Sequence, residues 1–518
     1  MSRFQRAFRG VVSGYGVLAA VALYSLASIP LALTFLSEKE FALWVLMAGI
    51  AGYLTLIDLG MSNSLARLLI DHKDEREGNL YGSLIKTGAA VLLVQGGLVL
   101  VAGFAFAPWL AQLLKIPLEF QATFIALLKW QSGLLAFSFC IRIFSHILQA
   151  HQRLDFINYS QIATTGLNFL SLWIFLKHGQ GVYSLVWGNL VAAIFNAAAL
   201  LICCWKFQLF PRRGFWGTVQ WVQFRNLFIY GKDIFLVSVG TQLIIASQTM
   251  IITRKLGLEA AAFWAVGTKL FTLVSQVIWR ISDSSAPAFS EMIVRKEAGI
   301  LQERYKSMVM LTASLAAFGA VSYALCNSTF VRVFLTRGEM WWPSTNDVLL
   351  GTWMIISAIQ RCHNSFILLT KKIGFMRYIF FVEGIVFVAV ALLTVRWGGL
   401  PAIITASICC SLIFSGAYGV WRISLYFNYP LQEITIGWLK PMSKILACYI
   451  PVALLTWWGG QYLNDIMRLT LFAIVCGSLG VFFFLRHGIS GPFRVELLHR
   501  APEKISPLLR RLLIGSTK

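Results

Sequence analysis

Acidic residues are scarce in this chain. Asp and Glu number 22 against 44 Lys and Arg, and charged residues make up only 13% of the whole, about half the share usual in soluble domains. So little charge cannot cover the surface of a soluble protein of 518 residues. No segment is polar enough to fold as a sizeable extramembrane domain, so the net charge of +22 does not point to nucleic acid. Asp-x-Asp is absent, as are a phosphate-binding glycine loop, an ATP motif and any catalytic constellation, and the chain reads as a non-enzyme. None of the nine cysteines has CxxC spacing or a nearby His at metal-ligand spacing. All nine, including Cys203-Cys204 and Cys409-Cys410, fall in apolar runs, where a thiol behaves as a small hydrophobe. No cofactor is expected.

What fills the chain instead is apolar sequence: 58% of residues are hydrophobic and the mean hydropathy is +0.72. Fourteen runs start near residues 11, 41, 83, 120, 154, 180, 227, 258, 305, 345, 374, 398, 441 and 466. Each is about the 20 residues a helix needs to cross a hydrocarbon core. The first follows Arg3, Arg6 and Arg9 but is too long for a signal-peptide core, so it is expected as an uncleaved helix kinked at Pro30. With the N-terminus inside, 30 of the 44 Lys and Arg fall in cytoplasmic segments, 9 in external ones and 5 within runs. That asymmetry is the positive-inside pattern. It places both termini in the cytoplasm and makes anionic membrane lipids, rather than nucleic acid, the natural partner of the basic surplus.

The chain also repeats itself. At a shift of 220, residues 62–86 fall without gaps on 282–306, with Ser62, Ser64, Ala66, Glu77 and Lys86 meeting identical residues. At a shift of 219, Phe156 and Tyr159 meet Phe375 and Tyr378. Six runs per copy, an even number, give both copies the same orientation, so they are parallel repeats with a cavity expected between them. The expected fold is an all-α polytopic membrane protein of about fourteen transmembrane helices. It divides into a six-helix lobe over 1–205, a basic cytoplasmic linker over 206–226, and a second six-helix lobe over 227–426. An extra helix pair over 427–487 follows, and then a basic cytoplasmic tail over 488–518, where "ISPLLRRLLIG" fits either an amphipathic surface helix or a disordered segment.

Charges inside the runs mark the candidate site. An arginine at the centre of a membrane helix costs about 2.5 to 3.5 kcal/mol even on lenient insertion scales, yet Arg142 sits deep in the fourth run and the repeat carries it onto Arg361 in the tenth. Ser138, Arg142 and Ser145 map onto Ser357, Arg361 and Asn364 at i, i+4 and i+7, one polar stripe per helix, and His146 and Gln149 lengthen the first. A third stripe runs through Lys269, Thr272, Gln276, Arg280 and Asp283 on the eighth run. There Arg280 and Asp283 are placed to neutralise one another at i, i+3. The corresponding face of the second run, Gly49, Gly52, Leu56, Gly60 and Asn63, fits tight helix packing better than a widened lumen. Lys129 is rotated away from Arg142 and is expected to reach outward. His363, beside Arg361, fits a switch or a packing role. Asp58, Asp283 and Glu383 are the acids available for ion coupling or for pairing with these cations. A cavity lined by Arg142, Arg361, Lys269 and Arg280 would suit phosphate oxygens.

The stretch "FALWVLMAGIAGYLTLIDLGMSNSLARLL" (41–69), with its aromatic-x-Leu-Trp opening, its "LIDLGM" turn and Arg67, resembles the second helix of Wzx-type flippases. These move polysaccharide and oligosaccharide-lipid precursors and belong to the multidrug/oligosaccharidyl-lipid/polysaccharide exporter superfamily. "LQAHQRLDFINYSQI" (148–162) is similar to that family's link between spans four and five. The resemblance implies a V-shaped pair of six-helix bundles in the bacterial inner membrane, alternating between inward-open and outward-open states. The implied cargo is an undecaprenyl-pyrophosphate-linked glycan precursor of a surface polysaccharide such as O-antigen, with polysaccharide-assembly machinery as a further partner. Arg142 and Arg361 would be the counterparts of the family's cationic cavity residues. Glu383 matches no coupling motif. A cation-coupled drug or toxin antiporter, a peptidoglycan lipid-precursor flippase, and a membrane glycosyltransferase or polymerase are the competing readings. The basic excess within the spans disfavours the first and the missing Asp-x-Asp the last.

Overall fold

A computed structural model describes residues 3–73, 75, 77–334, 342–370 and 372–489. The basic tail beyond 489, with its candidate surface helix, and most of the external connection near 335–341 lie outside the described residues. Those described are mostly helical, with no strand, the linker over 207–220 being the longest non-helical stretch among them. Ten helices are long and apolar enough to cross a membrane, and a bent pair, Leu258–Gly267 with Lys269–Ile293 at 41°, makes up to eleven.

That count falls short of fourteen, for reasons visible in the helices. Met376–Phe427 registers as one stretch of 52 residues, about 78 Å at 1.5 Å per residue, far more than one crossing of a core about 30 Å thick needs. It is interrupted at Gly399 (φ 58°, ψ −143°), a conformation that glycine alone adopts readily. The helices Leu154–Lys177 and Ser344–Leu369 have 24 and 26 residues, enough to cross, but neither is among the apolar ten.

The chain packs as two compact units. The first takes residues 1–265 with 380–392 and the second residues 266–379 with 393–518. In the first unit, α1 (Arg3–Phe35) lies on α6 (Leu154–Lys177), which in turn lies on α7 (Ser184–Lys206). α2 (Glu38–Leu54) opens on a capping box between Ser37 and Glu40. It ends in a 3-10 turn, Thr55–Asp58, after which Leu59 (φ 51°) and Gly60 (φ 72°) are both left-handed and α3 (Met61–His72) begins. α4 (Asn79–Leu113) runs along α5 (Leu118–Ala150), with Gly96 against the Ala136 carbonyl and Gly103 against Ser132.

This unit extends past residue 226 because α8 (Trp221–Leu256) packs on α2, α3 and α4. Gly49 and Gly52 of α2 face Ala246 and Gln242 of α8, so the small-residue face is used for close packing. The linker before α8 is strapped along the start of α4. Tyr81 donates to the Leu209 carbonyl at 3.1 Å, Lys86 to that of Gly217 at 2.9 Å, and Arg212 pairs with Glu77.

α9 (Leu258–Gly267), which belongs to the first unit up to Ala265, ends at a bend, and α10 (Lys269–Val294) follows it in the second unit. α10, α11 (Ala298–Phe334) and α12 (Ser344–Leu369) pack on one another. The bend is bolted from α11: Tyr323 Oη and Asn327 Nδ2 both donate to the Gly267 carbonyl, at 3.1 and 3.0 Å. Buried Asp347 accepts from Asn327, Ser328 and Trp342. Beyond α13 (Met376–Ser411) and α14 (Ala417–Phe427), the appended α15 (Lys440–Gly460) and α16 (Asp465–Val475) pack on α11. Lys306 of α11 also reaches Glu433 at 2.9 Å.

Candidate functional site

The break after α2 positions the first part of the site. Because the chain leaves the α-helix at Thr55, the Asp58 carboxylate reaches the restart of α3, where it accepts from the Ser62 backbone N–H at 3.3 Å and from the Ser62 hydroxyl. A carboxylate there also meets the positive end of the α3 dipole. The freed Asp58 carbonyl is satisfied by Gln95 Nε2 of α4 at 2.8 Å, as a backbone acceptor deep in a membrane bundle must be. Arg142 of α5 then reaches Asp58, with Nη1 3.6 Å from Oδ1, while its guanidinium lies 4.0 Å from the centroid of the Phe139 ring. The arginine side chain is 28% exposed and the aspartate 15%. One turn on from Arg142, both ring nitrogens of His146 are buried with no hydrogen bond.

The second unit holds a matching pair. Arg361 of α12 donates from Nη2 to both carboxylate oxygens of Asp283 on α10, at 3.1 and 3.2 Å, and lies 4.9 Å from the Trp279 ring centroid. The Arg361 Nε is buried without an acceptor. Each arginine is thus stabilised by one carboxylate on a neighbouring helix and one aromatic face, rather than by reaching for the membrane surface.

The sequence stripes divide accordingly. Arg142, Asp58 and His146 come together in the first unit, and Arg361 and Asp283 in the second. Asp283 pairs with Arg361 across helices. Ser138, Ser145, Gln276 and Arg280 are half-buried, and Gln149 is exposed. Ser357 and Thr272 donate to carbonyls of their own helices. Asn364 is buried, its Oδ1 without a donor. Lys269, half-buried at the start of α10, has no ion pair among the described residues. Lys129 lies 5.5 Å from the Phe104 ring centroid. His363 is fully buried, with Nδ1 2.7 Å from Tyr305 Oη, which fits the packing role. Glu383 is buried in the part of α13 that belongs to the first unit, beside the close approach of Gly384 to Gly240 of α8.

Gln95, Ser62, Phe139 and Trp279 escaped sequence reasoning. Ser62 was visible as a repeat identity, but nothing in the sequence ties Gln95 to a broken helix 37 residues before it. The two ion pairs were hidden for a related reason. At the shift of 220 Asp58 falls on Ile278 and Asp283 on Asn63, so the arginines repeat and their partners do not.

Comparison with known proteins bears on what such a scaffold is used for. A family model described as "Polysaccharide biosynthesis protein" matches residues 33–346. No curated protein matches the chain in sequence. Among solved structures, an inward-facing multidrug resistance MATE family transporter of the MOP superfamily aligns at a TM-score of 0.68 and 12% identity, covering 78% of this chain and 95% of that one. The lipid II flippase MurJ, in an inward closed conformation, aligns at 0.64 and 12%, covering 92% and 98%. A MOP superfamily transporter from Pyrococcus furiosus, described by the reverse polarity of its binding pocket, aligns at 0.60 and 13%, covering 82% and 96%. At such identities the likeness is one of fold.

Proposed function

The chain belongs to the polysaccharide biosynthesis protein family, and from that premise we propose that it flips a lipid-linked glycan precursor across the bacterial inner membrane. In this reading the precursor is carried on undecaprenyl pyrophosphate, the chain crosses the membrane fourteen times, and both termini are cytoplasmic. Arg142 and Arg361 engage the phosphates during the transport cycle, with Lys269 as a further cation. Surface-polysaccharide assembly, with its machinery as partner, is the process the activity would serve.

The observation that carries the reading is the recurrence of a paired arginine in both units. A guanidinium has five N–H donors. Arg361 spends one nitrogen on Asp283 and keeps a buried Nε without an acceptor, while Arg142 touches Asp58 through Nη1 alone. Both are partly exposed, at 28% and 39%, so donors remain for a phosphate whose oxygens match the planar fork. The carboxylates hold the arginines in place while the site is empty, which offsets the cost of an uncompensated charge in the bilayer.

The test is surface glycan in cells whose export depends on this chain. Arg142→Ala with Arg361→Ala should abolish it while membrane protein levels, checked by immunoblot, stay normal. Full surface glycan from that double variant would remove the arginines from the site and the reading with them.

A further inference from the structure

His146 is a half-buried titratable group, its ring nitrogens out of contact with solvent, that the proposed transport step leaves without a task. It sits one turn beyond Arg142 on α5, and neither Nδ1 nor Nε2 meets a partner in good hydrogen-bond geometry, the Gln149 side chain being the one polar neighbour that interacts with the ring. Buried polar atoms in native proteins are nearly always partnered, so an exception needs a reason. A second one lies in the same cluster: Gln95 of α4 is 3% exposed, its Nε2 is committed to the Asp58 carbonyl, and its Oε1 has no donor. The charged groups that act on the His146 ring among the described residues are Asp58, from the turn after α2, and Arg142, with Gln149 alongside.

The geometry points to His146 as a proton-binding site coupled to the Arg142–Asp58 pair. When a phosphate anion takes the Arg142 guanidinium, His146 takes one proton from solution and its imidazolium becomes the counter-charge of Asp58. The inference rests on Arg142 as a phosphate-binding group. The balance is simple: one proton passes from water to a ring-nitrogen lone pair, and no bond between heavy atoms forms or breaks. While the site is empty, guanidinium and carboxylate neutralise each other. Once the anion engages the guanidinium, the carboxylate is left in a poorly solvated place, and protonation of the neighbouring ring restores neutrality there. Proton and anion therefore favour each other, and the coupling is reciprocal.

Among its described residues the second unit shows no such device. The residue equivalent to His146 at the shift of 219 is Ser365, and the one nearby imidazole, His363, is committed to Tyr305. The proton site belongs to the Arg142 pair alone.

The test uses the full chain in detergent and a synthetic farnesyl-diphospho-N-acetylglucosamine, a pyrophosphate diester with no ionisation of its own near neutrality. Calorimetric titration at pH 7.5, in two buffers of different protonation enthalpy, reads protons taken up per ligand bound. Wild-type protein should take up close to one proton, and its affinity should weaken by up to about tenfold per pH unit between the titration of His146 in the empty protein and its titration in the occupied one. His146→Gln should bind with no uptake and with an affinity insensitive to pH over that range. Asp58→Asn, which leaves no carboxylate to compensate, should lose the uptake as well and serves if His146→Gln fails to fold. Binding without uptake in the wild type, or uptake unchanged in the variants, overturns this inference and leaves the phosphate reading standing. No binding to the wild type overturns both.

Discussion

A lone arginine in a membrane helix is a problem with few solutions, and the two here are solved alike. Arg142 and Arg361 each take one aspartate from a neighbouring helix and one aromatic ring. The Arg142–Asp58 pair is mostly buried but not sealed, so its worth lies between the near-zero value of exposed pairs and the large cost of breaking a buried one. A coupling of about 1 to 2 kcal/mol is expected. A double-mutant cycle on thermal stability with Asp58→Ala and Arg142→Ala should show it as a double variant less destabilised than the two singles summed. The same cycle on Arg212 and Glu77, side chains 71% and 63% exposed, should give a coupling near zero. The charged residues themselves were legible in the sequence, since an apolar run makes any charge conspicuous. Their pairing was not, because Asp58 and Asp283 occupy non-equivalent positions in the repeat.

At the scale of elements, the decisive feature is the interruption between α2 and α3. Two successive left-handed residues, Leu59 and Gly60, turn the chain so that Asp58 faces α5 and caps α3 together. Gly60 is required there twice over: its φ is +72°, and a Cβ would stand 2.6 Å from the Gly231 carbonyl oxygen of α8. Gly60→Ala should therefore destabilise by about 2 to 4 kcal/mol from backbone strain and overpacking. Gly97→Ala on α4, where a Cβ meets nothing within 4 Å, should be neutral or slightly stabilising, since alanine favours a helix over glycine by about 1 kcal/mol. Melting temperatures of the two variants in one detergent check the contrast. The "LIDLGM" stretch marked this place by family resemblance, while its hydropathy continues the run before it and gives no hint of a break. Gly399 is the opposite case: a fresh apolar run beginning near 398 anticipated the interruption seen there.

For the whole molecule, orientation follows from charge. An epitope inserted at Gly179, in the turn between α6 and α7, should be accessible in spheroplasts whose inner membrane is intact. One at Gly214, in the basic linker, should become accessible only after the inner membrane is permeabilised, and equal access at both positions in spheroplasts would refute the fourteen-crossing topology with cytoplasmic termini. The sequence by itself determined that the chain is helical and membrane-spanning, roughly where its helices start, and that cations sit within its spans. Hydropathy, run length and charge are properties of neighbouring residues and can be read along the chain. Only the tertiary structure decided which carboxylate neutralises which arginine, that α8 packs with the first unit, and that His363 bonds Tyr305 through Nδ1 while His146 lies beside the Arg142–Asp58 pair. Those outcomes depend on where a helix breaks and which face it turns to its neighbour, and a single glycine against another helix's backbone can set either.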